Sequence, residues 1–255
     1  MTHQVQAGEL LREWRQRRRL SQLDLALAAS VSSRHLSFIE TGRARPTSEM
    51  ILRLAEQLEV PLRDRNVLLL AGGYAPAYPE RGLADPGLAA VRAALQRVLA
   101  GHRPYPAAVV NRWWELVDAN DGIALFTAHV KPELLQPPVN VLRLSLHPDG
   151  MAPRIVNLPE WRAHLLARLY QQADAIGDPR LFRLYDELEA YPGGQPRRPS
   201  PAEVVVPLRY RADQGELSFI SLTAVVGTPL DITVEELAIE SFYPADEPTA
   251  AALRR

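Results

Sequence analysis

Apolar positions recur at helical spacing from Gly8 to about Gly73, and the pattern then changes. Leu10, Leu11, Trp14 and Arg15 open a first helix that ends near Arg19. Leu23, Leu25, Ala26 and Ala29 give a second helix its apolar stripe, with Ser21 as N-cap and Asp24 placed to complete something close to a capping box. Ser32 caps a third helix, whose inward face is Leu36, Ile39 and Phe38; Gly42 stops it as a left-handed C-cap. Met50, Ile51, Leu54, Ala55 and Leu58 mark a fourth helix. Pro61 starts a fifth, with Leu62, Val67, Leu68 and Leu70, and Gly72–Gly73 ends it. Helices this short do not persist alone in water, so these five must pack on one another.

Residues 74–87 are rich in Gly and Pro and lack periodicity, which predicts a linker between a domain over 1–73 and a second over 88–255. Past it, a helix runs from about Pro86 to Leu99. Residues 106–120 alternate as a strand pair around a turn near Arg112, and 140–150 read as a strand closed by an Asp-Gly turn. Two helices follow, roughly Pro159–Ile176 and Pro179–Ala190, then a loop over 191–201. At least three strands lie between Glu203 and Pro244, with turns at 213–215 and 227–229. The fold class is α+β: a helical head followed by a mixed α/β body with an antiparallel sheet.

Composition adds limits. The 255 residues are 47% hydrophobic and 23% charged, ordinary for one or two globular domains. Without cysteine there is no disulfide framework and no cysteine-based zinc site. No apolar run of about 18 residues and no signal-peptide core occur, so a cytoplasmic protein without a membrane partner is expected. The net charge of -1 hides an asymmetry. Residues 1–46 carry eight Arg and four acids, a balance of +4, and the remainder carries -5. Only the head is suited to a polyanion. Enzyme chemistry finds no support: Gly-rich phosphate loops, His-x-x-x-His pairs and Gly-x-Ser-x-Gly are all absent, and His102, His129, His147 and His164 are scattered. Neither a catalytic residue, a metal nor a cofactor is expected.

Two short helices joined by a tight turn inside a helical unit make a helix-turn-helix. The second helix of such a motif enters the DNA major groove with its first residues at base edges. Ser32, Ser33, Arg34, His35 and Ser37 surround the start of the third helix with short polar groups and donors. Arg34 can form a bidentate pair with guanine, worth roughly 1–3 kcal/mol of discrimination. Gln22 begins the second helix, where free N–H groups favour a phosphate. Arg43 and Arg45 follow the third helix and can reach the DNA backbone.

The stretch SQLDLALAASVSSRHLSFIETGRARP (Ser21–Pro46) resembles the phage-repressor-like, xenobiotic-response-element helix-turn-helix family over about residues 8–71. The resemblance rests on its Ser-Gln opening, the small Ala26, the Val-Ser turn and the ending LSFIETG. It implies that Arg15 pairs with Glu40, that Gln22 touches phosphate, and that Ser33 and Arg34 face bases. One departure is Ser30, where the turn usually has Gly; a left-handed non-Gly residue costs roughly 1 kcal/mol. A double-stranded, palindromic operator and a homodimer follow as expectations, since a monomer offers a single recognition helix.

The body needs another task. Its opening strand, turn, strand and then Asn120 ahead of a helix are how PAS-type sensor folds begin. With the head, the segments WELVDAN, NVLRLSLHPDGMAPRIVNLPEWRAHLLARL and DITVEELAIESFYPAD resemble the MmyB-like transcription regulators, across Gly8 to Asp246. That resemblance implies a PAS-like ligand-binding domain and a lipid-like or other apolar carboxylate, such as a fatty acid. The chain is thus expected to be a ligand-responsive regulator, a repressor; a body serving only for dimerisation or protein interaction is the alternative. On a strand, Arg143, Ser145 and His147 share one face and Leu142, Leu144 and Leu146 the other. Arg143 is then either a solvated surface residue or the clamp for a ligand carboxylate. Asn120 reads as a helix cap before a ligand contact, and of Trp113 and Trp114 one faces core or pocket.

Overall fold

The computed structural model describes residues 6–195 and 204–254. The last part of the loop expected over 191–201, from residue 196 on, lies outside them. The chain forms two compact units. One holds the chain up to Arg81 together with Asp174–Ile176 and Thr228–Glu235; the other holds Gly82–Ala173, Gly177–Gly227 and the chain from Glu236 onward.

The first unit contains α1 (Ala7–Arg17), α2 (Gln22–Ala28), α3 (Ser33–Glu40), α4 (Ser48–Gln57) and α5 (Leu62–Ala71). Local chemistry sets their starts. Ser21 and Asp24 form a reciprocal capping box on α2, Ser32 Oγ accepts from the His35 N–H, and Thr47 Oγ1 accepts from the Met50 N–H. Leu11, Leu25, Leu36, Ile39, Ile51, Leu54 and Leu68 are buried together in a single cluster. Leu23, Val67 and Leu70, expected inside, are instead 58%, 48% and 55% exposed. A seven-residue helix such as α2 offers the core only one narrow stripe, filled by Leu25 and Ala26 with Ala29 beyond it. In α5 the stripe passes through Leu62, Leu68 and Leu69, so Val67 and Leu70 fall to either side. Ser30 has φ +55° and Gly42 φ +71°, so both turns use the left-handed region. Residues Ala77 and Tyr78, inside the stretch read as a linker, are held to α5: the Asn66 amide accepts from both of their N–H groups and donates to the Tyr78 carbonyl.

The second unit is built on a five-stranded sheet in the order β2-β1-β5-β4-β3, with every neighbouring pair antiparallel. Its elements in chain order are α6 (Ala89–Gly101), β1 (Ala107–Val110), β2 (Leu116–Ala119), α7 (Ala124–Thr127), α8 (Val141–Leu146), α9 (Leu158–Ile176), α10 (Pro179–Glu189), β3 (Leu208–Ala212) and β4 (Gly215–Val225). The short α11 (Ile232–Glu235), which groups with the first unit, precedes β5 (Ala238–Pro244) and α12 (Glu247–Leu253). Ala107 and Val109 of β1 face one way, onto Leu95 and Leu99 of α6. Ala108 and Val110 face the other way, into an interior cavity. Phe126, Tyr210, Phe219 and Phe242 meet edge to face over that inner side, with ring centroids 5.0–6.4 Å apart.

Residues 140–146 correct the strand reading. They form α8, capped by Asn140, whose Oδ1 accepts from the Arg143 N–H at 3.0 Å. A short apolar run suits either period, and the cap decides for the helix. Trp113 and Trp114 also leave the strand; they sit in the β1–β2 turn, where Trp114 takes φ +65°. No helix among the described residues is long and apolar enough to cross a membrane.

Among the glycines of the first unit the tightest site is Gly8, where an added Cβ would lie 2.0 Å from the Ile39 carbonyl oxygen. Gly8→Ala is expected to lower the stability of this unit by about 1–3 kcal/mol. Denaturant unfolding of the full chain, followed by helical circular dichroism and amide exchange in α1 and α3, checks this; an unchanged midpoint contradicts the close packing of α1 on α3.

Candidate DNA-recognition surface and ligand cavity

The start of α3 is positioned by a buried ion pair. Arg15 Nε and Nη2 donate to Glu40 Oε1 and Oε2 at 2.6 and 2.7 Å, and its Nη1 donates to the Leu20 carbonyl at 2.8 Å. Gln22 Nε2 adds a bond to Glu40 Oε2 at 2.8 Å. The acid at the end of α3 is thereby tied to α1 and to the first residue of α2. Burial works to raise the Glu40 pKa, but the hydrogen bonds from Arg15 and Gln22, with the Arg15 charge, outweigh it and hold the carboxyl below its ordinary value. The same pairing raises the Arg15 pKa, against its own desolvation.

Ser32, Ser33, Arg34 and His35 are all exposed at the leading end of α3, while Leu36 and Ile39 are buried beneath them. Ser32 spends its hydroxyl on the cap. The Arg34 guanidinium lies 5.4 Å from the Phe38 ring centroid, a stacked position from which it can extend. Ser37 is half-buried, and Arg43 is exposed. Arg45 is partly engaged, since its Nη2 donates to the Gly72 carbonyl at 2.9 Å. Gln22 is half-buried and directed at Glu40, so its amide serves the interior as well as the surface.

The second unit encloses a cavity of about 200 Å³. Ala108 and Val110 of β1, Phe126 of α7, Leu142 and Leu144 of α8 and Leu165 of α9 line it. Trp114 closes one side from its turn; its Nε1 donates to Gln172 Oε1 at 2.7 Å, and the Arg168 guanidinium stacks 4.5 Å from its ring centroid. The polar wall groups are few: Thr127, Ser145 and Glu240. Ser145 Oγ accepts from Trp161 Nε1 at 3.1 Å. Glu240 accepts from Arg168 Nη2 and Nη1 at 2.6 and 3.1 Å, and from Thr223 Oγ1 at 3.0 Å.

Of Arg143, Asn120, Trp114 and His147, the residues that the sequence offers for contact with a ligand, Trp114 alone lines this cavity. Arg143 projects from the other face of α8 into a separate polar cleft with Trp113, Asn140 and Arg180. There its Nε and Nη2 donate to Glu187 at 2.6 and 2.8 Å. The Arg143 hydrogen bond lowers the Glu187 pKa. Burial and the bond to Glu187 push Tyr191, at the edge of this pair, up to about 12. Arg143 is therefore not a clamp on the cavity, because a helix turns it about 100° from Leu142 and from Leu144. His147 packs edge-on to Tyr191, and its Nδ1 accepts from the Asp149 N–H. Asn120 makes no side-chain cap. Its buried amide accepts from the Ala107 N–H and donates to the Leu99 and Tyr105 carbonyls, joining α6, the following loop and β1. Glu240, Arg168 and Ser145 were not singled out from sequence. Glu240 had a signal: it stands between Ala238 and Phe242 in the inward register of an apolar strand.

Comparison with known proteins matches both parts of the chain to known families. Residues 91–255 match the family model described as the MmyB-like transcription regulator ligand binding domain, and residues 11–64 match a helix-turn-helix model. Over 74 residues, 29% of the chain, it is 39% identical to the uncharacterized HTH-type transcriptional regulator RghRB of Bacillus subtilis (strain 168). That match spans 51% of the relative's length.

Two outcomes test the buried pair. Glu40→Gln, which leaves Arg15 buried without its counter-charge, is expected to destabilise the first unit by roughly 3 kcal/mol in thermal or denaturant unfolding. In the intact protein, a carboxyl whose folded pKa is depressed contributes stability that is full above its unfolded value of about 4.3 and is lost as pH falls through the lower folded value. Unfolding midpoints measured from pH 6 to pH 3 should show this loss, and Glu40→Gln should lack its share of it.

Proposed function

Since the chain belongs to the MmyB-like transcription regulators, with a DNA-binding helix-turn-helix head and a ligand-binding domain, we propose that it represses transcription as a homodimer on a palindromic operator, under the control of a small apolar ligand. The observation that carries the DNA half is the exposed start of α3, held from beneath by the Arg15–Glu40–Gln22 network. Arg34 reads a base, with Ser33 and His35 beside it; Arg43 and the free part of Arg45 meet phosphates. Occupying an operator excludes other proteins by volume alone, so repression needs nothing beyond binding. Pairing two heads on half-sites about 34 Å apart doubles the contact that a single short helix makes. Such work belongs to the compartment that holds the chromosome, here the cytoplasm, and it proceeds by binding rather than catalysis.

The cavity supports the ligand half. Its walls are mostly apolar, with a few polar groups, as a small-molecule site requires. An acyl chain, as in a fatty acid, suits those walls, but with Arg143 elsewhere its carboxylate has no cation on the wall to meet. The ligand acts by population shift: it favours whichever arrangement of the protein binds it better.

Selection of binding sites from random duplex DNA by the full chain is expected to return an inverted repeat. Arg34→Ala should relax preference at one base pair of each half-site by roughly 1–3 kcal/mol, with oligomeric state unchanged in sedimentation. Arg43→Ala should weaken binding across all sequences and reduce the salt slope by about one. Recovery of the same operator at the same preference by Arg34→Ala would remove Arg34 from base reading.

A further inference from the structure

The ligand class is narrowed by the wall chemistry. We propose that the cavity takes a small neutral molecule with an apolar body and one hydroxyl or amide N–H, which donates to the buried carboxylate of Glu240. This rests on the reading of the cavity as the ligand site. Glu240 is 7% exposed and points inward from β5 beside Phe242. Its two oxygens offer about four lone-pair positions. Arg168 takes two and Thr223 a third, which leaves a place for one more donor.

Size and charge select the rest. A cavity of about 150 Å³ lined by aliphatic and aromatic side chains holds one benzene. The roughly 200 Å³ here admits a ring or a branched aliphatic body with a short polar arm. A ligand carboxylate would face the like-charged Glu240 oxygens, and Arg168, which holds the balancing charge, is not on the cavity wall. An ammonium would meet a carboxylate already neutralised by that arginine. A neutral donor meets neither penalty. Ser145, whose oxygen accepts from Trp161, can turn its own O–H toward an acceptor on the same ligand, as a hydroxyl or amide provides.

Toluene, benzyl alcohol and benzoate share one apolar body and differ in the arm. Isothermal titration of the full chain with these three is expected to give benzyl alcohol about tenfold tighter than toluene, a modest gain for a bond to a charged acceptor. Benzoate should be weaker than both. Glu240→Gln keeps the shape and an acceptor for Arg168 while removing the charge; it should shrink the preference for benzyl alcohol over benzoate at least tenfold. Ser145→Ala should weaken benzyl alcohol severalfold and leave toluene unchanged. Benzoate binding as tightly as benzyl alcohol, or an unchanged preference in a folded Glu240→Gln, overturns the proposal and leaves the cavity a ligand site. Failure of all three compounds, toluene included, overturns the reading of the cavity itself.

Discussion

An acid taken out of water must be met by a cation and by further donors, and each half of this chain is arranged around one such acid. A lone buried carboxylate is costly enough that it protonates or is paired. Glu40 is met by a bidentate Arg15 and by Gln22; Glu240 is met by a bidentate Arg168 and by Thr223. The first set spans three helices of the head, none of which is long enough to persist alone. Apolar packing presses them together, but packing alone tolerates small rotations. Two parallel N–H···O bonds do not, so the direction of α3 is fixed by the geometry of a guanidinium against a carboxylate. That direction is what a recognition helix requires.

In the body the same chemistry has the opposite relation to its surroundings. Glu40 ends a helix whose working surface is its far tip, while Glu240 lies on the wall of the space a ligand would fill. A structural acid in a closed core would have its capacity filled by the chain. Glu240 is held by Arg168 and Thr223 on the wall of a mostly apolar cavity, yet these three bonds leave one of its lone-pair positions without a donor. Trp114 belongs to the same arrangement. It adopts a left-handed backbone conformation that a bulky residue rarely takes, and its ring is fixed between Arg168 and a hydrogen bond to Gln172.

Much of the head was legible in the sequence because its signals are local. Ser21 with Asp24, Ser32 and Gly42 announce helix ends by chemistry that acts over three or four residues. The misplaced residues there, Leu23, Val67 and Leu70, are apolar positions that lie beside the stripe their helices turn to the core. The body was legible in its sheet, where alternation is set by the pleat, and in its long helices. It was misread at 140–146, where a seven-residue stretch of alternating apolar and polar positions carries no length cue and the cap supplied by Asn140 decides for a helix. The strand reading is what made Arg143 a candidate clamp. The polar wall groups come from elements distant in sequence, Glu240 from β5 and Ser145 from α8, with Arg168 of α9 behind Glu240, and no spacing rule connects them.

An apolar cavity has a thermodynamic consequence of its own. A molecule that fits it gains dispersion contacts with the lining atoms. Any molecule that fits stabilises the body by mass action, in proportion to the logarithm of its concentration over its dissociation constant. Stabilisation is not yet regulation. A ligand that binds every state equally shifts nothing, however tightly it binds. Regulation requires that filling the cavity also changes the preference among states that differ in DNA affinity. Two elements of the wall lie outside the sheet and the long helices: α8, which is only six residues long, and the turn that carries Trp114. Both are short, both are held by side-chain hydrogen bonds from Asn140, and both lack the many-residue ladders that make the sheet behind them rigid.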